Sequence, residues 1–174
     1  MTLGLHDNFP INVHLVEGFK ITVSVKRLQE KLLRTLYELN HGEFTFEEVA
    51  NPTVPHGTVL FEFGLAKDGG FSYLNEEELK ASLAFLNRER LEVLDFFCSI
   101  RYYKINGGKK TPLKFDYFFF RTVFGKELLE VRVYHERGPR YVSQADLVCF
   151  IVNKLNTMHS KKVLKTLADQ HVSF

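Results

Sequence analysis

"KFDYFFFRTVFGKELLEVRVYHER", Lys114 to Arg137, decides the fold. From Leu129 to Glu136 apolar and polar residues alternate; from Phe115 to Phe120 every position but Asp116 carries an aromatic ring. A strand with one side on a core and the other in water needs only one apolar face. The first strand here has two. Gly125-Lys126 suits a two-residue hairpin turn, which would pair Phe120 with Val131, Phe118 with Val133, Thr122 with Leu129 and Asp116 with His135. This face is apolar except at its Asp116–His135 end and is assigned to the core. The opposite face then pairs Arg121 with Glu130, Phe119 with Arg132 and Tyr117 with Tyr134. Opposite charges and aromatic rings placed directly across stabilise a sheet.

The strand before it, roughly 92–105, turns at Asn106-Gly107-Gly108 and divides the same way. Leu94, Phe96, Cys98, Ile100 and Tyr102 fall on the core side. The second face then gathers Phe97, Arg101, Tyr103, Phe115, Tyr117, Phe119, Arg121, Arg132 and Tyr134, which are the candidate binding residues. The connection at 106–111 leaves this register open by one residue, and a slip of one would turn that strand over.

Outward from this sheet, Ile11, Val13 and Leu15 mirror Phe19, Ile21 and Val23 about Val16-Glu17-Gly18, which predicts an N-terminal hairpin; a single strand keeps the same alternation. Ser24 caps a helix to about Asn40, with Val25, Leu28, Leu32, Leu36 and Leu39 on one stripe. "EFTFEEVA", residues 43–50, reads as a strand or, through Thr45 and Glu48, as a capped helix; the strand is preferred. Two prolines make 51–57 a loop. A strand over about 59–65 precedes a helix started by Asn75 and three glutamates. After further strands at 112–123 and 127–136, Ser143 caps a helix carrying Leu147, Ile151 and Leu155. Ser160 either interrupts that helix or starts a short final one through about Asp169.

The order ββ-α-β-β-α-βββ-α predicts an α+β fold: a mainly antiparallel sheet of long hairpin-linked strands with helices packed on one face, forming one domain over 1–174. Long antiparallel strands followed by a C-terminal helix are similar in order to helix-grip and TBP-like folds, a likeness of arrangement without a matched motif. It raises a third use of the sheet, a ligand cavity against the last helix.

Phenylalanine is abundant, 17 residues with no tryptophan. The net charge of +2 hides an asymmetry: 9 basic and 15 acidic residues in 1–100, against 14 and 6 in 101–174. A basic half suits an anionic partner. The start "MTLGLHDNFPINV" lacks a cationic, apolar leader, and no stretch reaches the ~18 apolar residues of a membrane span. A cytoplasmic protein without membrane contact is expected, with Cys98 and Cys149, both in apolar runs, read as small buried hydrophobes.

No cofactor or metal is expected. The histidines form neither HxH nor HExxH, and "INGGKK" lacks the spacing of a phosphate loop and joins two strands. His135 across from Asp116 is the weak catalytic candidate, an imidazole oriented by a carboxylate, but no nucleophile elbow accompanies it. Arg137 and Arg140 flank Gly138-Pro139 and could clamp a phosphate; Lys161, Lys162 and Lys165 read as a solvated basic face. The sequence therefore points to a protein without enzymatic activity that self-associates, as a homodimer, or binds a macromolecular partner through its aromatic and basic face. Aromatics with arginine are common at interface centres. A single-stranded nucleic-acid module is the alternative, and an enzyme or small-molecule binder using His135 and Asp116 is another.

Overall fold

Serine, asparagine and again serine turn the chain into its three long helices. The computed structural model describes residues 2–50, 57–158 and 162–167. Ser24, after β1 (Leu15–Ile21), accepts the Arg27 N–H at 3.2 Å and opens α1 (Val25–Leu39). At 43–50 both readings are partly realised: β2 (Phe44–Thr45) runs into the single turn α2 (Phe46–Val49), and the Thr45 N–H donates to the Glu48 carboxylate at 2.9 Å. β3 (Gly57–Lys67) and β4 (Gly70–Tyr73) form a hairpin over Asp68-Gly69, whose φ values of 50° and 82° give the left-handed backbone conformations a two-residue loop needs. Asn75 accepts the Glu78 N–H at 2.9 Å and starts α3 (Glu76–Arg88). Then come β5 (Val93–Asn106), β6 (Lys109–Pro112), β7 (Asp116–Phe124) and β8 (Leu128–Arg137). Ser143 caps α4 (Gln144–Thr157), and β9 (Leu164–Thr166) is the last described element.

The fold is α+β, as its element order predicts. The described strands form one antiparallel sheet in the order β2-β3-β5-β7-β8-β1-β9, with β4 added to β3 and β6 to β5. α1 packs against α3, α4 and β3, and α4 packs against β8. Between helices and sheet lies one core, containing Leu28, Leu33 and Leu36 from α1, Phe96 and Ile100 from β5, and Phe118 and Val133 from the central hairpin.

The central hairpin is displaced by two residues from its expected register. Its loop is Lys126-Glu127, closed by the Gly125 N–H donating to the Leu128 carbonyl at 2.8 Å. Phe120 faces Val133, Phe118 faces His135, Thr122 faces Val131, Arg121 faces Arg132 and Phe119 faces Tyr134. Side chains alternate with a period of two, so this shift changes partners and leaves each residue on its face. Phe118 and Val133 both lie in the core.

The N-terminal hairpin is replaced by β1 alone, with Val16-Glu17-Gly18 inside it. Its partners are β8 on one side and β9 on the other. Leu15 lies across from Val133 and Phe19 across from Leu129, so the strand keeps its alternation while gaining two ladders in place of one. β9 also stands in the range that a short final helix would occupy. The strand expected over 112–123 breaks at Leu113–Phe115 into β6 and β7, and the pairing with β5 shifts by one residue there. Cys98 is buried but Cys149 is exposed; both thiols are free. Of the loop at 51–57, all but Gly57 lies outside the described residues, as does much of the region after Ser160.

Candidate binding face

Alternation along β5 and β7 puts Phe97 and Phe119 side by side on the face away from the helices. They are direct partners in the ladder, with ring centroids 5.7 Å apart. Tyr117 lies 5.7 Å from Phe97, and Phe115 lies 6.3 Å from Tyr117. A ring absent from the candidate set completes the group: Phe71 of β4 sits 5.8 Å from Phe97 and 5.7 Å from Phe119. The signal for it was Asp68-Gly69, a strong hairpin dipeptide, followed by Phe71 and Tyr73 in alternation. All five rings are partly exposed.

Cations lie over three aromatic rings of this face. The Arg137 guanidinium is 4.6 Å from the Tyr117 centroid, Arg101 is 5.4 Å from Phe115, and the Lys110 ammonium is 5.9 Å from Tyr103. Exposed contacts of this kind contribute about 0.5–1 kcal/mol each. Arg101 also pairs with Glu62 at 2.7 Å, Lys110 with Glu43, and Arg132 with Glu130 at 3.0 Å. Arg137, Lys104, Lys109, Lys114 and Arg140 make no side-chain ion pair among the described residues, and all five are exposed.

The other end of the face is closed by the chain itself. Residues 2–9 run over it as a strap. The Gly4 N–H donates to the Ala66 carbonyl at 2.8 Å, the Asp95 N–H to the Gly4 carbonyl at 2.6 Å, and the His6 N–H to the Asp95 carboxylate at 2.7 Å. Asp95 is buried and takes Arg121 as its ion-pair partner at 2.7 Å. Hydrogen bonding to that carboxylate raises the Arg121 pKa above its ordinary value. His6 packs on Phe71 and Phe119, and Phe9 lies on Phe119 and under the Arg121 guanidinium. Phe119 and Arg121 are therefore on the expected face but engaged within the molecule. Tyr134 is also covered, stacked by His14 at 4.7 Å. What stays open is Phe97, Tyr117, Phe115 and Tyr103 with Arg101 and Arg137, leading onto the β5–β6 hairpin.

His135 and Asp116 do meet, Nε2 to Oδ1 at 2.9 Å, although His135 lies across from Phe118 in the ladder. A bulge between Tyr117 and Phe118 allows the contact. Asp116 is fully buried, and each carboxylate oxygen receives two donors. Oδ1 accepts from His135 and from the Arg140 N–H at 2.6 Å; Oδ2 accepts from the Tyr102 hydroxyl at 2.6 Å and from the Tyr141 N–H at 3.0 Å. Arg140, at φ 60°, helps aim the two consecutive N–H groups at one anion. Gly138, at φ 117°, lets the turn approach so closely that a Cβ there would overlap the Phe115 carbonyl and Asp116. Burial, then the bond to Asp116, pushes the Tyr102 hydroxyl far above its ordinary pKa. This arrangement locks the turn that carries Arg137 and Arg140, and it leaves no lone pair of Asp116 directed at a substrate.

Two cavities lie elsewhere. One of about 440 Å³ sits beside α1 and α3, and one of about 240 Å³ between α2 and α4. The space between α4 and the sheet, where a helix-grip ligand would lie, is about 20 Å³ and lined by Phe120, Val131, Leu147 and Ile151. Among the described residues no three His, Cys, Asp or Glu side chains are grouped to hold a metal ion, and no helix is long and apolar enough to cross a membrane. Comparison with protein-family models, curated proteins and solved structures finds no match to this chain.

Proposed function

We propose that this chain is a docking module without chemistry of its own, and that the open part of its sheet face binds an anionic macromolecule. The observation that carries this reading is the row of three ring–cation stacks, Tyr117 with Arg137, Phe115 with Arg101 and Tyr103 with Lys110. Beside it stand Lys114 and Arg140, exposed and without ion pairs among the described residues. Between residues 101 and 140 the chain holds ten Lys and Arg against four Asp and Glu. Flat rings give contact area at little entropic cost, and unneutralised cations steer an anion onto them. Free thiols at Cys98 and Cys149 suit a reducing compartment, so a cytoplasmic setting belongs to the proposal.

Salt elution from an immobilised polyanion tests it. Arg137→Gln and Arg101→Gln should elute at lower salt than the parent, whereas Arg27→Gln and Arg34→Gln on α1 should not. Equal shifts for both pairs would refute a localised face. Self-association is the second reading, favoured by Val16 and Leu128, 54% and 44% exposed on the same face where β1 pairs with β8. A two-fold contact through the Arg137 end would set its cations against their own copies, which places this reading second. Light scattering decides it: a monomer at high protein concentration removes the homodimer.

A further inference from the structure

Resting on that docking reading, we infer that the partner is single-stranded nucleic acid, bound along the path Phe97–Tyr117–Phe115–Tyr103. Three features select this anion over an acidic polypeptide. The platform consists of aromatic rings in sequence at 5.7 and 6.3 Å, and a base offers a π-face to each, which a carboxylate side chain does not. The cations sit over those rings, so one movement of Arg137 and Arg101 both uncovers a ring face and brings a guanidinium to a phosphate. Positive charge stands at both ends of the ring path, Arg137 over Tyr117 at the β8 end and Lys110 over Tyr103 on the β5–β6 hairpin. A backbone crossing the rings would meet positive charge as it enters and as it leaves.

A duplex hides the base faces this platform requires, so unpaired strands are the ligand. The open residues are rings and cations, and stacking with phosphate contact tolerates any base; little sequence preference follows. Four rings set a site on the order of four nucleotides.

Fluorescence anisotropy with fluorescein-labelled uridine and thymidine oligomers tests the inference, the two arms separating RNA from DNA, with a hairpin duplex as a third probe. Tyr117→Leu keeps an apolar side chain and removes the π-face; binding should weaken about tenfold. Tyr117→Phe should bind like the parent. Arg137→Gln should flatten the dependence of log K on log salt by about 0.7, one phosphate contact on a single strand. Thermal melts confirm that each variant folds. Unchanged binding by Tyr117→Leu, equal binding of the duplex, or no binding of either single strand would overturn the inference. Polyglutamate in the same assay separates the two levels. If it is bound and Arg137→Gln weakens it while oligomers are ignored, the docking face stands and the nucleic-acid assignment falls. If no polyanion binds, both fall.

Discussion

Replacing Asp116 by asparagine should destabilise the protein severely, although the two side chains have nearly the same shape. Each oxygen of Asp116 accepts two hydrogen bonds, and the residue is wholly buried. An asparagine must turn its NH₂ toward one of the two donor pairs. On the Oδ1 side it meets the Arg140 N–H and His135; the imidazole can change tautomer, but the backbone N–H cannot become an acceptor. On the Oδ2 side the Tyr102 hydroxyl can rotate, but the Tyr141 N–H cannot. One backbone donor therefore faces another donor in either orientation, at a cost of about 1–3 kcal/mol. The remaining bonds also lose charge assistance, at about 1 kcal/mol each. The expected loss is about 4–6 kcal/mol, comparable to that of Asp116→Ala. Equilibrium unfolding in urea measures it as a lower midpoint at constant slope. Tyr102→Phe should cost about 1 kcal/mol in the parent and less in the Asp116→Ala background, where its hydroxyl has already lost its acceptor. An asparagine variant within about 0.5 kcal/mol of the parent would show that the carboxylate is not the four-donor hub described.

Three further outcomes follow from the same geometry. Gly138→Ala should cost at least about 2 kcal/mol in urea unfolding, because the new Cβ meets Phe115 and Asp116 at a φ of 117°; a neutral result would mean the turn does not pack on Asp116. The Tyr102 pKa is raised in the fold, so above the ordinary tyrosine value of 10.0 the unfolded chain releases a proton that the folded one keeps. Stability should then fall by about 1.4 kcal/mol per pH unit beyond that point, and Tyr102→Phe should remove this part of the slope. Phe118→Ala should cost about 3–5 kcal/mol from the core, while Tyr117→Ala, one residue along on the open face, should cost about 1 kcal/mol; similar losses at both sites would contradict the division of β7 into two faces.

The division into faces was legible because it depends only on parity. Phe118, Phe120 and Val133 point to the core whether the hairpin closes at Gly125-Lys126 or at Lys126-Glu127. The exact partners were not legible, since both loops have two residues and both place apolar side chains together. Helix starts at Ser24, Asn75 and Ser143 were readable from capping chemistry, which is local. β1 is different: its pairing with β8 and β9 is fixed by distant segments, and its own residues are compatible with a hairpin. The candidate face was identified from rings and arginines on alternate positions, but its coverage was not. The strap at residues 2–9 lacks periodicity, and its hold on Asp95 and Arg121 includes the His6 backbone meeting side chains 89 and 115 positions away. Asp116 was seen to face His135; its other donors come from Tyr102 and from a turn whose shape depends on a positive φ at Arg140.

Photo-crosslinking tests the binding face most directly. A 4-thiouridine-substituted oligomer irradiated with the protein, followed by peptide mapping, should place adducts on Phe97, Tyr103, Phe115 and Tyr117. Adducts confined to the helical side, on α1 or α3, would contradict the account.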